Sequence, residues 1–489
     1  MILRNANQWP DNVALESGSQ QIRYGQLVVA VSMRAKWLKA QKVRRIALLA
    51  DNGPEWVMCD LACQQADIVL VPVPSFFTSA QQTHLLSEAG IELVISDRPL
   101  DAEETAQCPF EGCLAYHRHV TTVPAVPKGT GKITFTSGST GTPKGVCLST
   151  LSQHVVAQSL VASLKMPEVR HICVLPLATL LENVAGVYAP LLVGGTVVLP
   201  NDTMRGFHGS RLVAPNQFLS CLTASCAQSM ILVPELLQLL VSVSRQGWRL
   251  PETFTFVAVG GAAVPEPLVI EARKQGVPVY QGYGLSECVS VTTLNLPDKD
   301  RAGSAGQALG HNRLTIENDE IVARGTHFLG YLNMPESFYP AQVRTGDLAR
   351  EEDGYWFIHG RRKNLIINSL GRNISPEWIE SALMATGQFA RVMVVGEGKP
   401  HCGALLLPAD NTLSDSQIQP TLDYVNASLP DYARVVVWHR LAAIPDDQNL
   451  LTANGKMRRD SMTTYYSSQI EAMYQRADMQ LEECNYEIL

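Results

Sequence analysis

The sequence predicts an α/β protein with a large N-terminal part built on parallel-rich sheets and a small α+β part at the C-terminal end. Three observations predict it. Helix-like and strand-like segments alternate up to about Val343, the rhythm of parallel strands joined by helices. Beyond Val343 the apolar runs become short and are interrupted by glycine and charge. The composition is globular, with 46% hydrophobic and 17% charged residues among 489, too apolar for a disordered chain. At about 150 residues per domain, the length alone allows roughly three domains.

The elements follow in order. Residues 24–39 have helical spacing, 45–50 read as a short buried strand, 55–66 as a helix and 68–73 as a strand. Residues 92–96 form a strand-like run after another helical stretch. The same rhythm returns at 171–175, 196–199, 256–259 and 277–281. In the C-terminal part, 355–358 and 364–367 are strand-like. A helix at 376–385 comes next, then strands at 391–395, 403–407 and 435–439. The boundary falls near Arg361 to Lys363, giving domains of residues 1–361 and 362–489. A polar helix candidate follows Asp460.

Charge and cysteine usage exclude several classes. Lys plus Arg number 39 and Asp plus Glu 46, a net charge of −7, without the basic surplus of a nucleic-acid binder. None of the eleven cysteines forms a C-x-x-C pair, which argues against zinc and thioredoxin-like chemistry. Their apolar surroundings suit small core residues in a reducing compartment. No apolar run follows the N-terminal methionine, so no signal peptide is expected. The longest apolar stretch, 184–200, is cut by Gly186, Pro190, Gly194 and Gly195 and is too short to span a membrane. A cytoplasmic protein without a transmembrane segment is expected.

Four segments carry chemistry. The first runs Thr136, Ser137, Gly138, Ser139, Thr140, Gly141, Thr142, Pro143, Lys144, Gly145 after a strand-like lead-in. Glycines let backbone N–H groups close on an anion, hydroxyls add donors and the lysine adds charge. This is phosphate-handling chemistry but not a Walker A loop, because Pro143 precedes the lysine and Gly145 follows it. In the second, a strand runs into a glycine turn with Gln281, Gly282, Tyr283, Gly284, Leu285, Ser286 and Glu287. It offers a ring for a base, a hydroxyl for a phosphate and a carboxylate for Mg²⁺. The third places Asp347 after Gly346, followed by Gly360, Arg361, Arg362 and Lys363; the fourth is Asn454, Gly455, Lys456.

In this order and spacing the four segments resemble the adenylate-forming superfamily of acyl- and aryl-CoA synthetases, luciferases and peptide-synthetase adenylation domains. The match spans roughly residues 10–460. Residues 175–183 are similar to a segment of the long-chain fatty acyl-CoA synthetase branch, with Thr179 where that branch places His and Asn183 where it places Arg; residues 364–380 look like the same branch. No Phe-Asp pair is present near Thr179, which argues against an amino-acid substrate.

The resemblance implies a large adenylate-forming domain, a mobile C-terminal lid and a two-step reaction. A carboxylic acid, expected to be a fatty acid, attacks ATP to give an acyl-adenylate and pyrophosphate, and a thiol then displaces AMP. It assigns Lys456 as the catalytic lysine. Thr136, Ser137, Gly138, Ser139, Thr140, Gly141 and Lys144 would hold phosphates. Gly261, Ala262, Gln281, Gly282, Tyr283, Gly284 and Ser286 would line the rest of the nucleotide site, and Asp347 and Arg361 would hold the ribose. Glu287, with Thr136, would hold Mg²⁺. Lys363 would be the hinge, Gly371 would line the thiol channel, and Thr179, Leu180 and Gly260 would border the acyl pocket. The implied cofactors are ATP, Mg²⁺ and coenzyme A. Two other readings stay open: a ligase loading the phosphopantetheine of an acyl or peptidyl carrier protein, and a non-catalytic nucleotide- or acyl-binding protein.

Overall fold

The computed structural model describes residues 6–100, 104–105, 108–136, 143–209, 211–369, 372–410, 412–445, 450–452 and 456–486. Among these, two large sheets organise the N-terminal part, one of eight strands and one of thirteen. In the eight-stranded sheet, Arg45–Leu49 lies parallel to Val69–Pro72 on one side and to Leu93–Ser96 on the other. All five of its residues are buried, as befits a central parallel strand covered on both faces. In the thirteen-stranded sheet, Arg170–Ile172, Ser229–Leu232, Phe256–Val259 and Val279–Leu285 are successive parallel neighbours.

Local chemistry sets the connecting helices. Tyr24–Ala40 buries Tyr24, Leu27, Val31, Ala35 and Leu38, spacing that puts one apolar stripe on the core. Pro54 opens Pro54–Ala66, and Asp67 closes it in a left-handed conformation at φ 58°, within reach of Asp at modest cost. Thr78 and Gln81 form a capping box at the start of Ser79–Glu88. The apolar stretch 184–200 is divided into the π-helical turn Glu182–Tyr188, the helix Ala189–Leu192 and the strand Thr196–Val198.

In the C-terminal part, Phe389–Val395, Cys402–Pro408 and Val435–Arg440 make a three-stranded sheet. Alternation along the first strand sends Val392 and Val394 to a core with Ile379, Leu383, Ile418 and Leu422. Met393 and Val395 face a second core with Met462, Tyr466, Ile470 and Met473. The segment after Asp460 is thus an apolar-faced packing helix, not merely a polar one. The strand Tyr355–Arg361 ends at Arg361, and the 3-10 turn Arg362–Asn364 follows. Among the described residues, no helix is long and apolar enough to cross a membrane.

One expected local feature differs. The sequence suggested a glycine turn at 282–284, but the strand Val279–Leu285 continues through it and changes partner. Up to Gln281 it pairs in parallel with Phe256–Val259; from Gly282 it pairs antiparallel with Ser290–Leu294. The glycines serve close approach rather than turning. A Cβ on Gly284 would lie 1.8 Å from the Ser290 carbonyl oxygen, so only glycine fits.

Candidate active site

The parallel strands deliver their carboxyl ends to one edge of the thirteen-stranded sheet, where open α/β folds bind ligands. Phe256–Val259 ends in Gly260, Gly261 and Ala262. Gly261 has φ +77° and both it and Ala262 are exposed. Gly260 packs under the neighbouring strand, where a Cβ would stand 3.0 Å from the Gly282 carbonyl oxygen. Gln281 completes this floor, and its main-chain oxygen accepts from the Asn295 amide side chain at 3.1 Å.

Asp347 is the centre of a buried polar cluster. Its strand, Val343–Glu352, bulges where Gly346 adopts φ +71°; such a bulge re-aims a side chain. Asp347 is 4% exposed. The Tyr283 hydroxyl donates to its Oδ2 at 2.7 Å, and Arg361 Nε donates to Oδ1 at 2.7 Å. Burial and the adjacent Asp347 carboxylate push the Tyr283 phenol well above its ordinary range, so it stays a donor. Ser286 opens a short 3-10 turn, Ser286–Cys288, that carries Glu287. The Glu287 backbone oxygen accepts from Phe328 N, and its Oε1 accepts from the Tyr331 hydroxyl at 2.8 Å. No described residue hydrogen-bonds Glu287 Oε2, leaving a hard oxygen donor of the kind Mg²⁺ takes.

The phosphate-loop candidate is closed at its base by a hairpin. Lys132–Thr136 pairs antiparallel with Lys144–Leu148, Thr136 opposite Lys144. Ser137, Gly138, Ser139, Thr140 and Gly141 lie outside the described residues, as do Gly371 and Gly455. The Lys144 amine sits 5.8 Å from the Tyr331 ring centroid. Tyr331 thus touches both the lysine at the loop base and the carboxylate of the opposite sheet. It had no sequence signal beyond a glycine before an aromatic residue.

From the C-terminal part, Lys456 reaches into this edge and donates to the Gly261 carbonyl oxygen at 2.7 Å. The side chain keeps accessible surface, yet its amine is crowded. Desolvation lowers its pKa, opposed by the Glu235 carboxylate and reinforced by Arg361. Lys363 lies in the 3-10 turn Arg362–Asn364, immediately after Arg361. The structure therefore brings Gly260, Gly261, Ala262, Gln281, Gly282, Tyr283, Gly284, Ser286, Glu287, Asp347, Arg361 and Lys456 to one edge.

Beneath that edge lies an apolar cleft with a cavity of about 70 Å³. Leu160, Leu164, Leu181 and Ala185 line one wall; Ile231, Ala258 and Leu294 line the other. Thr179, Leu180 and Gly260, the sequence candidates for an acyl pocket, are not among its lining residues. Thr179 bonds the Pro176 carbonyl oxygen in a local turn, and Leu180 faces the core. Leu181, next in the chain after Leu180, lines the cleft.

Comparison with known proteins gives the family. Residues 2–333 match the family model of AMP-binding enzymes, and 363–478 match the AMP-binding enzyme C-terminal domain. The 2-succinylbenzoate–CoA ligase of Bacillus subtilis is 26% identical over 81% of this chain and 84% of its own length. The indoleacetate–CoA ligase of Aromatoleum aromaticum is 27% identical over 84% and 88%. Among solved structures, O-succinylbenzoate coenzyme A synthetase from Bacillus subtilis bound to AMP aligns with a TM-score of 0.76 at 24% identity, covering 94% and 97% of the two chains. An anthranilate CoA ligase bound to anthranoyl-AMP aligns at 0.80 and 20%, covering 96% and 97%. These relatives act on aromatic acids, where the sequence segments had suggested the long-chain branch. The chain belongs to the AMP-binding enzyme family, as an AMP-forming acid–thiol ligase of the acyl-CoA synthetase type.

Proposed function

We propose that this protein activates an apolar monocarboxylic acid, a fatty or aryl-alkanoic acid, and passes it to coenzyme A. The observation that carries the reading is the convergence of Lys456 on Gly261 at the edge that also presents Asp347, Tyr283 and Glu287. The acyl carboxylate attacks the α-phosphate of ATP, forming the mixed anhydride and releasing pyrophosphate. Two anions must meet, so alignment and positive charge matter more than proton transfer. Lys456 supplies that charge between carboxylate and α-phosphate. Asp347 accepts from ribose hydroxyls, with Arg361 and Tyr283 holding its carboxylate in place. The Tyr283 ring and Gly261–Ala262 flank adenine. Residues 136–144 cradle the outer phosphates. Glu287, with Thr136, would hold Mg²⁺, whose positive charge would offset that of the phosphates.

In the second step the CoA thiolate displaces AMP from the acyl carbonyl. Domain 362–489 rotates about Lys363 so that Lys456 withdraws and the segment at Gly371 borders the thiol path, a hinge motion.

The cleft supports an apolar tail. No described lining residue is lysine or arginine. A second carboxylate, such as 2-succinylbenzoate carries, would be desolvated there without a cation, at a cost of several kcal/mol. ATP–pyrophosphate exchange across fatty, aryl-alkanoic, dicarboxylic and amino acids tests the reading. Exchange with apolar monocarboxylic acids and a CoA thioester on adding CoA are expected. Exchange confined to 2-succinylbenzoate would overturn the substrate assignment.

A further inference from the structure

The apolar cleft is not apolar throughout. At the end remote from the nucleotide edge, its wall includes His171 and Ser229, 3% and 6% exposed. His171, Ser229 and Phe256 are register partners on adjacent parallel strands, so all three present side chains to the same face. Ile231 and Ala258 lie two residues further along that face and Gly260 two beyond Ala258, at the nucleotide edge. From Gly260 back to Phe256 is four residues, ~13 Å at strand rise.

The two polar groups are organised. His171 Nδ1 stands 2.9 Å from Ser229 Oγ, and Nε2 stands 3.0 Å from Glu182 Oε1. Glu182 is fully buried, and its Oε2 accepts from Leu175 N at 3.1 Å. The π-helical turn Glu182–Tyr188 makes room for the pair. A Cβ on Gly186 would lie 2.2 Å from Glu182 Oε1 and 2.7 Å from His171 Nε2. Single π turns of this kind are frequent at functional sites. With both imidazole nitrogens engaged, the spare hydrogen-bonding capacity lies at the Ser229 hydroxyl, which keeps two of its three positions after its bond to His171.

Resting on the acid-activation reading above, we infer that Glu182–His171–Ser229 is a specificity device that recognises a hydroxyl group at the distal end of the acyl chain. The preferred substrate class is a monocarboxylic acid with an extended apolar body and a terminal alcohol or phenol. About 8–10 bonds separate its carboxyl from its hydroxyl, from the ~13 Å span and a ~1.5 Å bond. A hydroxyl both donates and accepts, so it pairs with Ser229 whichever way the serine proton points. A methyl terminus leaves the buried serine facing carbon. A second carboxylate is excluded by Glu182 and the absence of a cation among the described lining residues.

The test is acid-dependent ATP–pyrophosphate exchange by the full-length protein with matched pairs: decanoate against 10-hydroxydecanoate, and 5-phenylpentanoate against its 4-hydroxyphenyl counterpart. The methyl ether of each hydroxy acid serves as a control. A kcat/KM at least about tenfold higher for one hydroxylated member, carried by KM and lost in the ether, is expected. The better pair tells alcohol from phenol. Ser229→Ala is expected to bring that ratio to about one while exchange with the plain acid persists. A ratio of one or less in both pairs, or a preference unchanged in Ser229→Ala, would overturn the inference while leaving acid activation standing. Absence of exchange with every acid would overturn both.

Discussion

At the scale of single residues, the site is a set of charges placed where charge moves. Lys456 has its pKa lowered by desolvation, with Glu235 opposing the shift. Its ammonium form is the one that attracts a carboxylate and a phosphate, so raising pH removes the active form. Adenylation is therefore expected to fall on the alkaline side earlier than an ordinary lysine would allow, and initial-rate pH profiles check this. Lys456→Ala is expected to lower pyrophosphate exchange by at least about 10²-fold, the scale of removing one transition-state charge partner. Thioester formation from supplied acyl-adenylate should survive, and equal loss of both half-reactions would refute the role. Tyr331 acts through Glu287: its hydroxyl holds Oε1 from a strand paired to the base of the phosphate loop, Tyr331 opposite Val146. Tyr331→Phe is expected to raise the Mg²⁺ concentration needed for half-maximal exchange several-fold, as loss of a buried hydrogen bond of ~1 kcal/mol implies. Unchanged Mg²⁺ dependence in a folded variant would count against it. Lys456, Glu287 and Asp347 were singled out in the sequence by the family resemblance of their motifs, and the structure brings them to one edge. Tyr331 was not, because its role arises from register between two sheets.

At the scale of elements, strands buried on both faces were the most legible, since a continuous apolar run such as 46–49 admits few other structures. The glycines at 282 and 284 were misjudged as a turn because glycine marks both turns and close backbone approach. Only the neighbouring strand decides between them. The π-helical turn Glu182–Tyr188 was invisible as a helix type. Beside it, Lys132 and Asp60, 2% and 1% exposed, form an ion pair at 3.0 Å. Asn183 and Tyr188 of that turn hydrogen-bond both partners. This network fastens the hairpin of the phosphate loop to the helix Pro54–Ala66. Asp60→Ala strands the lysine charge and is expected to cost ~3–5 kcal/mol. Adding Lys132→Met to that variant should recover a large part of the loss. Chemical denaturation of the single and double variants measures both, and a double variant no more stable than Asp60→Ala would refute the coupling.

At the scale of the whole molecule, the proposed reaction asks Lys456 to be present for the first half-reaction and out of the way for the second. Lys456 donates to the Gly261 carbonyl oxygen, the arrangement that the proposed first half-reaction calls for. On the proposed mechanism the thiol approaches the acyl carbonyl from the same side, so the C-terminal part would turn between steps. The chain crosses between the two parts at Arg361, with φ −109° and ψ 133°, and the 3-10 turn Arg362–Asn364. Proline at position 363 would hold φ near −65° and push Arg362 out of the helical region. Lys363→Pro is thus expected to bias the chain toward one arrangement. If that arrangement is the one described here, adenylation should persist within a few-fold while acyl transfer slows by at least about tenfold, because a conformational step then limits turnover. Single-turnover measurements with ATP and acid, and separately with preformed acyl-adenylate and CoA, resolve the two. Equal slowing of both steps would place the pivot elsewhere in the crossing segment. Slowing of neither would mean that the two chemistries share one domain arrangement.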